Sequence, residues 1–168
     1  MRRLALAALS VAGACAPRVE PPRSERRQVI DGLTLSQSSS GKLSWTLRSR
    51  VAVLREDEKL ADLSVPSMDF YREDKVVSRV TSRGGTVNAE THDVRLSSSV
   101  VLDTFDDRSR LTTEELLYSS ARGRFVTSAD VQIVRPEGVV RGRGLEATPD
   151  LSEIRIFEQR SVLSGKTR

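Results

Sequence analysis

The stretch from Arg79 to Val162 repeats one pattern three times. The segments 79–102, 110–133 and 139–162 align with no internal gap. Matched positions fall mostly two residues apart, as with Val94, Phe125 and Ile154 or with Val80, Leu111 and Val140. Because side chains two residues apart share one face of a strand, each segment is typical of a β-hairpin. A period of about 30 residues predicts hairpins stacked side by side.

The residues before the repeats also alternate. In 42–57 we expect Leu43, Trp45, Leu47, Val51 and Val53 to share one face of a half-buried strand. Residues 60–71 predict a second strand with Pro66 in its middle. Proline cannot donate to a β-ladder, so an edge, a bulge or a change of partner is expected there.

Turn residues recur at regular intervals through the repeats. Asp, Gly, Pro and Ser favour tight reversals at 89–93, 106–109, 119–124, 135–138 and 148–152. Residues 112–118 have a helix-like composition, but their place in the repeat favours a strand. The expected fold is therefore all-β, built of stacked antiparallel hairpins. Gly84, Gly85, Gly142 and Gly144 predict bends or close backbone approaches within the strands.

Bent hairpins stacked in this way would form a rolled, V-shaped or jelly-roll structure that encloses an apolar trough. The predicted lining is Trp45, Val51, Met68, Phe70, Val80, Val94, Leu96, Val100, Leu102, Leu111, Phe125, Val131, Ile133, Ile154 and Ile156. Arg95, Ser97 and Ser99 are expected to face outward. A lining that is simply the protein's own core is the alternative interpretation.

The N-terminus is typical of an exported protein. Arg2 and Arg3 precede a short apolar run, so residues 1–14 are predicted to be a signal peptide. Either signal peptidase cleaves after Ala12-Gly13-Ala14, or Cys15 is the lipidated residue of a lipobox that has Ala12 in place of the usual leucine. Residues 15–41 are expected to be a lipidated flexible tether, 42–163 the folded domain, and 164–168 a tail. Leu33 and Leu35 are candidates for the start of a first strand within the tether.

The composition and the polar motifs argue against several classes of function. Aromatic residues are only 4% and positive charges are interspersed with negative ones, which does not favour nucleic-acid binding. His92, the single histidine, stands in a predicted turn with no converging partners for a metal or a catalytic triad. Consecutive acids such as Glu114 and Glu115 would face opposite sides of a strand. We therefore expect no catalytic residue, no metal and no cofactor.

Several segments, in their order, resemble the LptC family, the periplasmic component of the lipopolysaccharide-export ABC transporter. They are LSVPSMDFY, SRVTSRGGTV, VRLSSSVVL, RLTTEELLY, FVTSADVQIV and VVRGRGLEA, within residues 41–163. The bridge protein and the N-terminal domain of the outer-membrane translocon share this repeat. Many family members carry an N-terminal transmembrane helix, where this chain instead has the predicted lipid on Cys15.

The resemblance implies a non-enzymatic adaptor on the periplasmic side of the inner membrane. It also implies a twisted β-jelly-roll, whose apolar interior would hold the acyl chains of lipopolysaccharide. One sheet edge would pair with the permease subunits of the transporter, and the other with the periplasmic bridge protein. The membrane would hold the chain through its N-terminal lipid. A structural or bridge-type envelope lipoprotein of the same fold is the alternative.

Overall fold

The computed structural model describes residues 27–162, with side chains up to Arg160. Within this range the chain forms eleven strands and one short 3₁₀ turn, Glu56–Glu58. The strands are β1 (Arg27–Ser39), β2 (Lys42–Arg55), β3 (Leu60–Ser64), β4 (Ser67–Arg72), β5 (Lys75–Thr81), β6 (Gly84–Asn88), β7 (Val94–Thr104), β8 (Arg110–Ser119), β9 (Arg124–Arg135), β10 (Gly138–Ala147) and β11 (Ile154–Val162). The predicted all-β class is confirmed, and residues 112–118 lie in β8 as a strand.

All of these strands belong to one antiparallel sheet. β1 pairs with the whole of β2, and the other side of β2 pairs first with β4 and then with β3. β7 pairs in the same divided way with β6 and β5. From β7 onward each strand pairs with the next, so the sheet runs from β1 at one end to β11 at the other.

The three repeats are three equivalent hairpins. The matched residues nearest each turn pair directly: Val87 with Val94, Tyr118 with Phe125, and Ala147 with Ile154. At the far ends, Val80 pairs with Leu102 and Leu111 with Ile133. The third hairpin differs, because β10 and β11 pair without a register shift and Val140 meets Ser161 rather than Val162.

An irregularity crosses the sheet along what we call the bend line. It runs through residues 49–50, 65–66, 82–83, 98–99, 114–116, 128–130 and 143–144. Val65 donates its N–H to the carbonyl of Arg83, and Arg83 donates to Ser98, each at 3.0 Å. Ser98 and Gly144 have left-handed φ values of 65° and 72°. The predicted break at Pro66 is confirmed, since it stands between β3 and β4 where β2 changes partner.

The bend line divides the sheet into two wings. The β4–β5 wing contains β4, β5 and the parts of the longer strands in register with them; the β3–β6 wing contains β3, β6 and the remaining parts. Phe70 of the first wing contacts Tyr118 and Phe125 of the second, with ring centroids 4.9 and 5.3 Å apart. The wings therefore fold onto each other, and the apolar core lies between them.

The prediction of a flexible tether up to residue 41 is wrong for residues 27–39, which form β1. This strand is in register with β2 over nearly its full length. Ile30, Leu33 and Leu35 pack against the core, while most other side chains of β1 are exposed. An edge strand covered on one side needs few apolar residues, which is why its composition suggested a tether. The predicted signal peptide, Cys15 and the tail at 164–168 lie outside the described residues.

Candidate binding interior and sheet edges

Most residues predicted to line a trough lie together between the wings. Twelve of them belong to one core cluster and have at most 4% of their surface exposed: Trp45, Met68, Phe70, Val80, Val94, Leu96, Val100, Leu102, Leu111, Phe125, Val131 and Ile133. Ile154 and Ile156 are partly buried and pack against this cluster. The repeat therefore identified the inner face of the sheet correctly.

Val51 is the exception, because the alternation in β2 shifts at the bend line. The Ser49 hydroxyl donates to the carbonyls of Val51 and Ser64, at 2.7 and 2.9 Å, and accepts from the Ser64 N–H at 3.1 Å. These bonds take the place of regular ladder pairing where β2 changes partner. Beyond them Ala52 is fully buried, while Val51 and Val53 are only half-buried. The predicted face is wrong for these two valines.

The sequence did not predict that Leu116, Leu145 and Leu151 would face inward. Leu116 is 1% exposed while Leu117 is half-buried, because β8 also shifts its alternation at the bend line. Leu145 is fully buried for the same reason in β10. Leu151 is 1% exposed although it lies in the loop between β10 and β11. A lone leucine among Thr, Pro, Asp and Ser carries no periodic signal that could have identified it.

Four aromatic rings close one part of the interior. Phe70, Tyr118 and Phe125 contact one another edge-on or tilted, with centroids 4.9–5.4 Å apart. Trp45 meets Tyr118 edge-on at 6.3 Å. Burial, and then the charge of Asp93, raises the pKa of Tyr118, so its hydroxyl is neutral at physiological pH. Such pairs stabilise the core beyond the area that they bury.

The interior is filled by these side chains. The surface has depressions: one of about 600 Å³ is bordered by Leu117, Val126 and Phe157, and one of about 920 Å³ by charged residues such as Arg141 and Arg160 together with Val100 and Val131 of the core cluster. Both mix apolar and charged groups. Access to the space between the wings therefore requires side chains or whole wings to move.

Opposite the bend line, the rims of the two wings are joined by a few polar contacts, which we call the rim contacts. The Ser120 hydroxyl donates to Gln37 at 2.9 Å. Arg135 donates to the carbonyl of Leu151 at 3.1 Å, and Arg72 forms an ion pair with Asp150. Each contact links the end of one wing to a loop at the end of the other.

The two ends of the sheet have open edges. In the part of the chain that the structure describes, β1 pairs only with β2, and β11 only with β10. Val29 on β1 and Phe157 on β11 are exposed, at 64% and 57%. An edge strand presents unpaired N–H and C=O groups that another strand can take up. The edges lie at opposite ends of one sheet, so they can pair with different partners.

One carboxylate is buried on the outer face of the β4–β5 wing. Asp69 has a side chain that is 3% exposed, and it accepts hydrogen bonds from Arg79 at 2.6 Å and from Arg48 at 2.7 Å. Burial alone would raise the pKa of the Asp69 carboxyl, but the bonds from Arg79 and Arg48 outweigh it and hold the pKa below its ordinary value. The group joins three neighbouring strands and has the character of a structural clamp.

Among residues 27–162, no three His, Cys, Asp or Glu side chains converge as metal ligands. His92 is exposed in the turn between β6 and β7, where its N–H donates to Asn88, and this turn is confirmed. The same residues contain no helix that is long and apolar enough to cross a bilayer.

The sequence model of one protein family matches residues 6–162, nearly the whole chain. The description of that family is "Lipopolysaccharide-assembly, LptC-related". The chain belongs to the LptC family. The LptC family is a transport family rather than one of enzymes, and it is periplasmic and associated with the inner membrane. No curated protein matches the chain.

Proposed function

We propose that this LptC-family chain is a lipopolysaccharide-binding adaptor. It receives lipopolysaccharide from an inner-membrane ABC transporter and passes it to a periplasmic β-bridge protein. One observation carries the proposal: a single sheet folds around an apolar interior, and among the described residues each of its end strands pairs with one strand only. The first feature suits a lipid, and the second suits two partners.

The acyl chains are expected to enter between the wings. Each methylene group that leaves water contributes about 0.8 kcal/mol, so a lining of Val, Leu, Ile and Phe favours them. At the bend line the wings are continuous through the backbone of the sheet, whereas at the rims they are joined by the side-chain hydrogen bonds and the ion pair of the rim contacts. Opening at the rims would admit a chain while leaving the backbone pairing intact.

The partners are expected to bind by strand addition. A strand from the transporter's periplasmic domains would extend the sheet at one end, and a strand from the bridge protein would extend it at the other. Backbone hydrogen bonds would supply the affinity at β1 and β11, and the continuous sheet would keep the apolar interiors of neighbouring proteins in line.

Photo-crosslinking in intact cells tests the interior. A photoreactive residue in place of Phe125 or Val100, both fully buried, should trap lipopolysaccharide. The matched positions Arg95 and Ser97 belong to the same sheet but alternate with the buried residues, and they should not. Equal labelling on both faces would contradict binding between the wings.

The packed interior favours a second candidate, a structural or bridge-type envelope lipoprotein of the same fold. Its core would be permanent rather than a site for lipid. Co-purification from detergent-solubilised membranes separates the two. Recovery of an ATP-driven permease complex supports the adaptor, whereas its absence together with no crosslink from position 125 supports the structural protein.

We further propose that a lipid on Cys15 anchors the chain to the periplasmic side of the inner membrane. The support is the apolar run before Cys15 and the absence of any other cysteine in the sequence. Incorporation of radiolabelled palmitate should disappear in Cys15→Ser. Labelling that persists in this variant would contradict the proposed anchor. It would not affect the proposal that lipid binds between the wings.

A further inference from the structure

Two hydrogen-bond donors inside the core have no acceptor in the part of the chain that the structure describes. The indole N–H of Trp45 and the hydroxyl of Ser78 are buried without a hydrogen-bond partner among the described residues. Trp45 is 2% exposed and Ser78 is fully buried. Buried polar groups are nearly always hydrogen-bonded, so an orphaned one calls for an explanation.

The two donors lie on one row of the inner face. Trp45 on β2 pairs with Phe70 on β4, and Phe70 pairs with Ser78 on β5. Ser78 and Val80 are buried while the intervening Arg79 is exposed, which places Ser78 on the inner side of β5. The row therefore consists of an aromatic ring flanked by a donor on each neighbouring strand.

We propose that the row Trp45–Phe70–Ser78 binds an oxygen-bearing part of an acyl chain, such as a hydroxyl or an ester group. This inference rests on the proposed function and specifies which chemistry the interior selects. The indole N–H can only donate, so the matching ligand atom must be an acceptor. A neutral oxygen fits better than a carboxylate or phosphate, since burying an ion in this apolar setting costs far more.

Energetics support a ligand rather than a purely structural core. A core that is permanently filled by its own side chains would be more stable with phenylalanine at position 45 and alanine at 78, because an unsatisfied buried donor is destabilising. Binding sites characteristically contain residues that lower the stability of the ligand-free protein but form hydrogen bonds with the ligand.

The position of the row also suits a group near the polar end of a lipid. Gln37 is the β1 partner of Trp45, and its side chain accepts the rim contact from Ser120. The row thus lies directly inside the rim. A chain that enters there would place its oxygen atoms at the row and its hydrocarbon beyond it, against Phe125 and the aliphatic residues.

The test uses two probes that differ by one hydroxyl, tetradecanoic acid and 3-hydroxytetradecanoic acid. Trp45 is the only tryptophan, so its fluorescence reports binding of either acid to the purified protein. We expect the wild type to prefer the hydroxy acid by about 3- to 10-fold, the range that one hydrogen bond gives. Ser78→Ala should reduce that preference by about 2- to 4-fold and leave the affinity for tetradecanoic acid unchanged. The melting temperature of this variant should stay the same or rise.

Ser82→Ala is the matched control. Ser82 lies just beyond β5 and is also buried, but its hydroxyl already donates to the carbonyl of Gly84 at 2.8 Å. It should lower the melting temperature and leave the preference unchanged. In Trp45→Phe, which keeps an aromatic ring, competition against a fluorescent fatty acid should show reduced preference for the hydroxy acid.

Equal binding of the two acids to the wild type, or a preference that Ser78→Ala leaves unchanged, overturns the assignment. So does the failure of both acids to bind. If lipopolysaccharide still crosslinks to position 125 in those cases, the proposed function stands and only this row is wrong. If the crosslink is absent as well, the proposed function fails with it.

Discussion

Asp69 illustrates how a single buried charge can join three strands. Asp69→Asn keeps the shape but removes the charge that Arg48 and Arg79 meet. We expect the free energy of unfolding at pH 7 to fall by about 1–2 kcal/mol, a modest value because both arginines are half exposed. The surface pair of Arg110 and Asp103 offers the control, and Asp103→Asn should lower the free energy of unfolding by clearly less than Asp69→Asn does.

The same residue predicts a dependence on pH. The pKa of Asp69 is lower in the folded protein than its ordinary value of 3.8. Its stabilising contribution is therefore complete above the unfolded pKa and is lost as the pH falls through the lower, folded pKa. Urea denaturation at pH 7 and at pH 3 should show the difference between wild type and Asp69→Asn shrinking in acid. A difference that stays constant would contradict this assignment.

Adjacent glycines at the start of β6 give a second test at the residue scale. A Cβ on Gly85 would lie 2.5 Å from the carbonyl oxygen of Arg95, whereas one on Gly84 would lie in ordinary contact, 3.7 Å from Ser97. Gly85→Ala should cost about 1–3 kcal/mol because backbone must shift. Gly84→Ala should change stability by less than about 1 kcal/mol. Thermal melts of the two variants measure these changes in stability. Equal losses of stability would contradict the close backbone approach at Gly85.

At the scale of the element, the stability of the loop between β10 and β11 depends mainly on one buried side chain. Leu151 is buried although its φ is 55°, a conformation that costs a leucine free energy. Leu151→Ala should lower the free energy of unfolding by about 2–4 kcal/mol. Arg72→Ala should cost under about 1 kcal/mol, since its ion pair with Asp150 is largely exposed on the arginine side.

Hydrogen exchange distinguishes the two variants further. Loss of the Arg72 rim contact should speed exchange of the amide of Leu151, which donates to Thr148 at 2.9 Å, without changing exchange in the central strands. If Arg72→Ala leaves that amide as protected as in the wild type, the ion pair does not hold the loop.

The elements themselves could largely be predicted, because hairpins with a two-residue alternation and polar turns are local properties. The shifts of alternation at the bend line could not. They depend on residues such as Ser49 and Ser98, where a hydroxyl or a left-handed φ replaces ladder pairing, and serine in a strand gives no warning of this. The misassigned Val51 and the unpredicted Leu116 follow from the same cause. Most of β1 was missed because one covered face leaves its sequence polar.

On the scale of the whole molecule, the fold has two ends and one interior, so its functions should be separable. Successive N–H groups of an edge strand point alternately to the neighbouring strand and away from it. The test replaces two neighbouring residues in each edge strand by proline, one at a time: Gln28 and Val29 in β1, and Phe157 and Glu158 in β11. In each pair of neighbours, one proline removes a hydrogen bond to the adjacent strand, and the other removes an N–H that faces the open edge. Alanine at each position keeps the N–H and is the control.

We expect the open-edge proline in each pair to leave the melting temperature close to that of its alanine control and to abolish binding to one partner. Blocking β1 and blocking β11 should affect different partners, measured as co-purification of the permease complex and as capture of the bridge protein. The crosslink to lipopolysaccharide from position 125 should survive both, since the four substituted residues are exposed and lie outside the core cluster. If a variant with proline in β1 folds but binds neither partner, the two ends do not act independently.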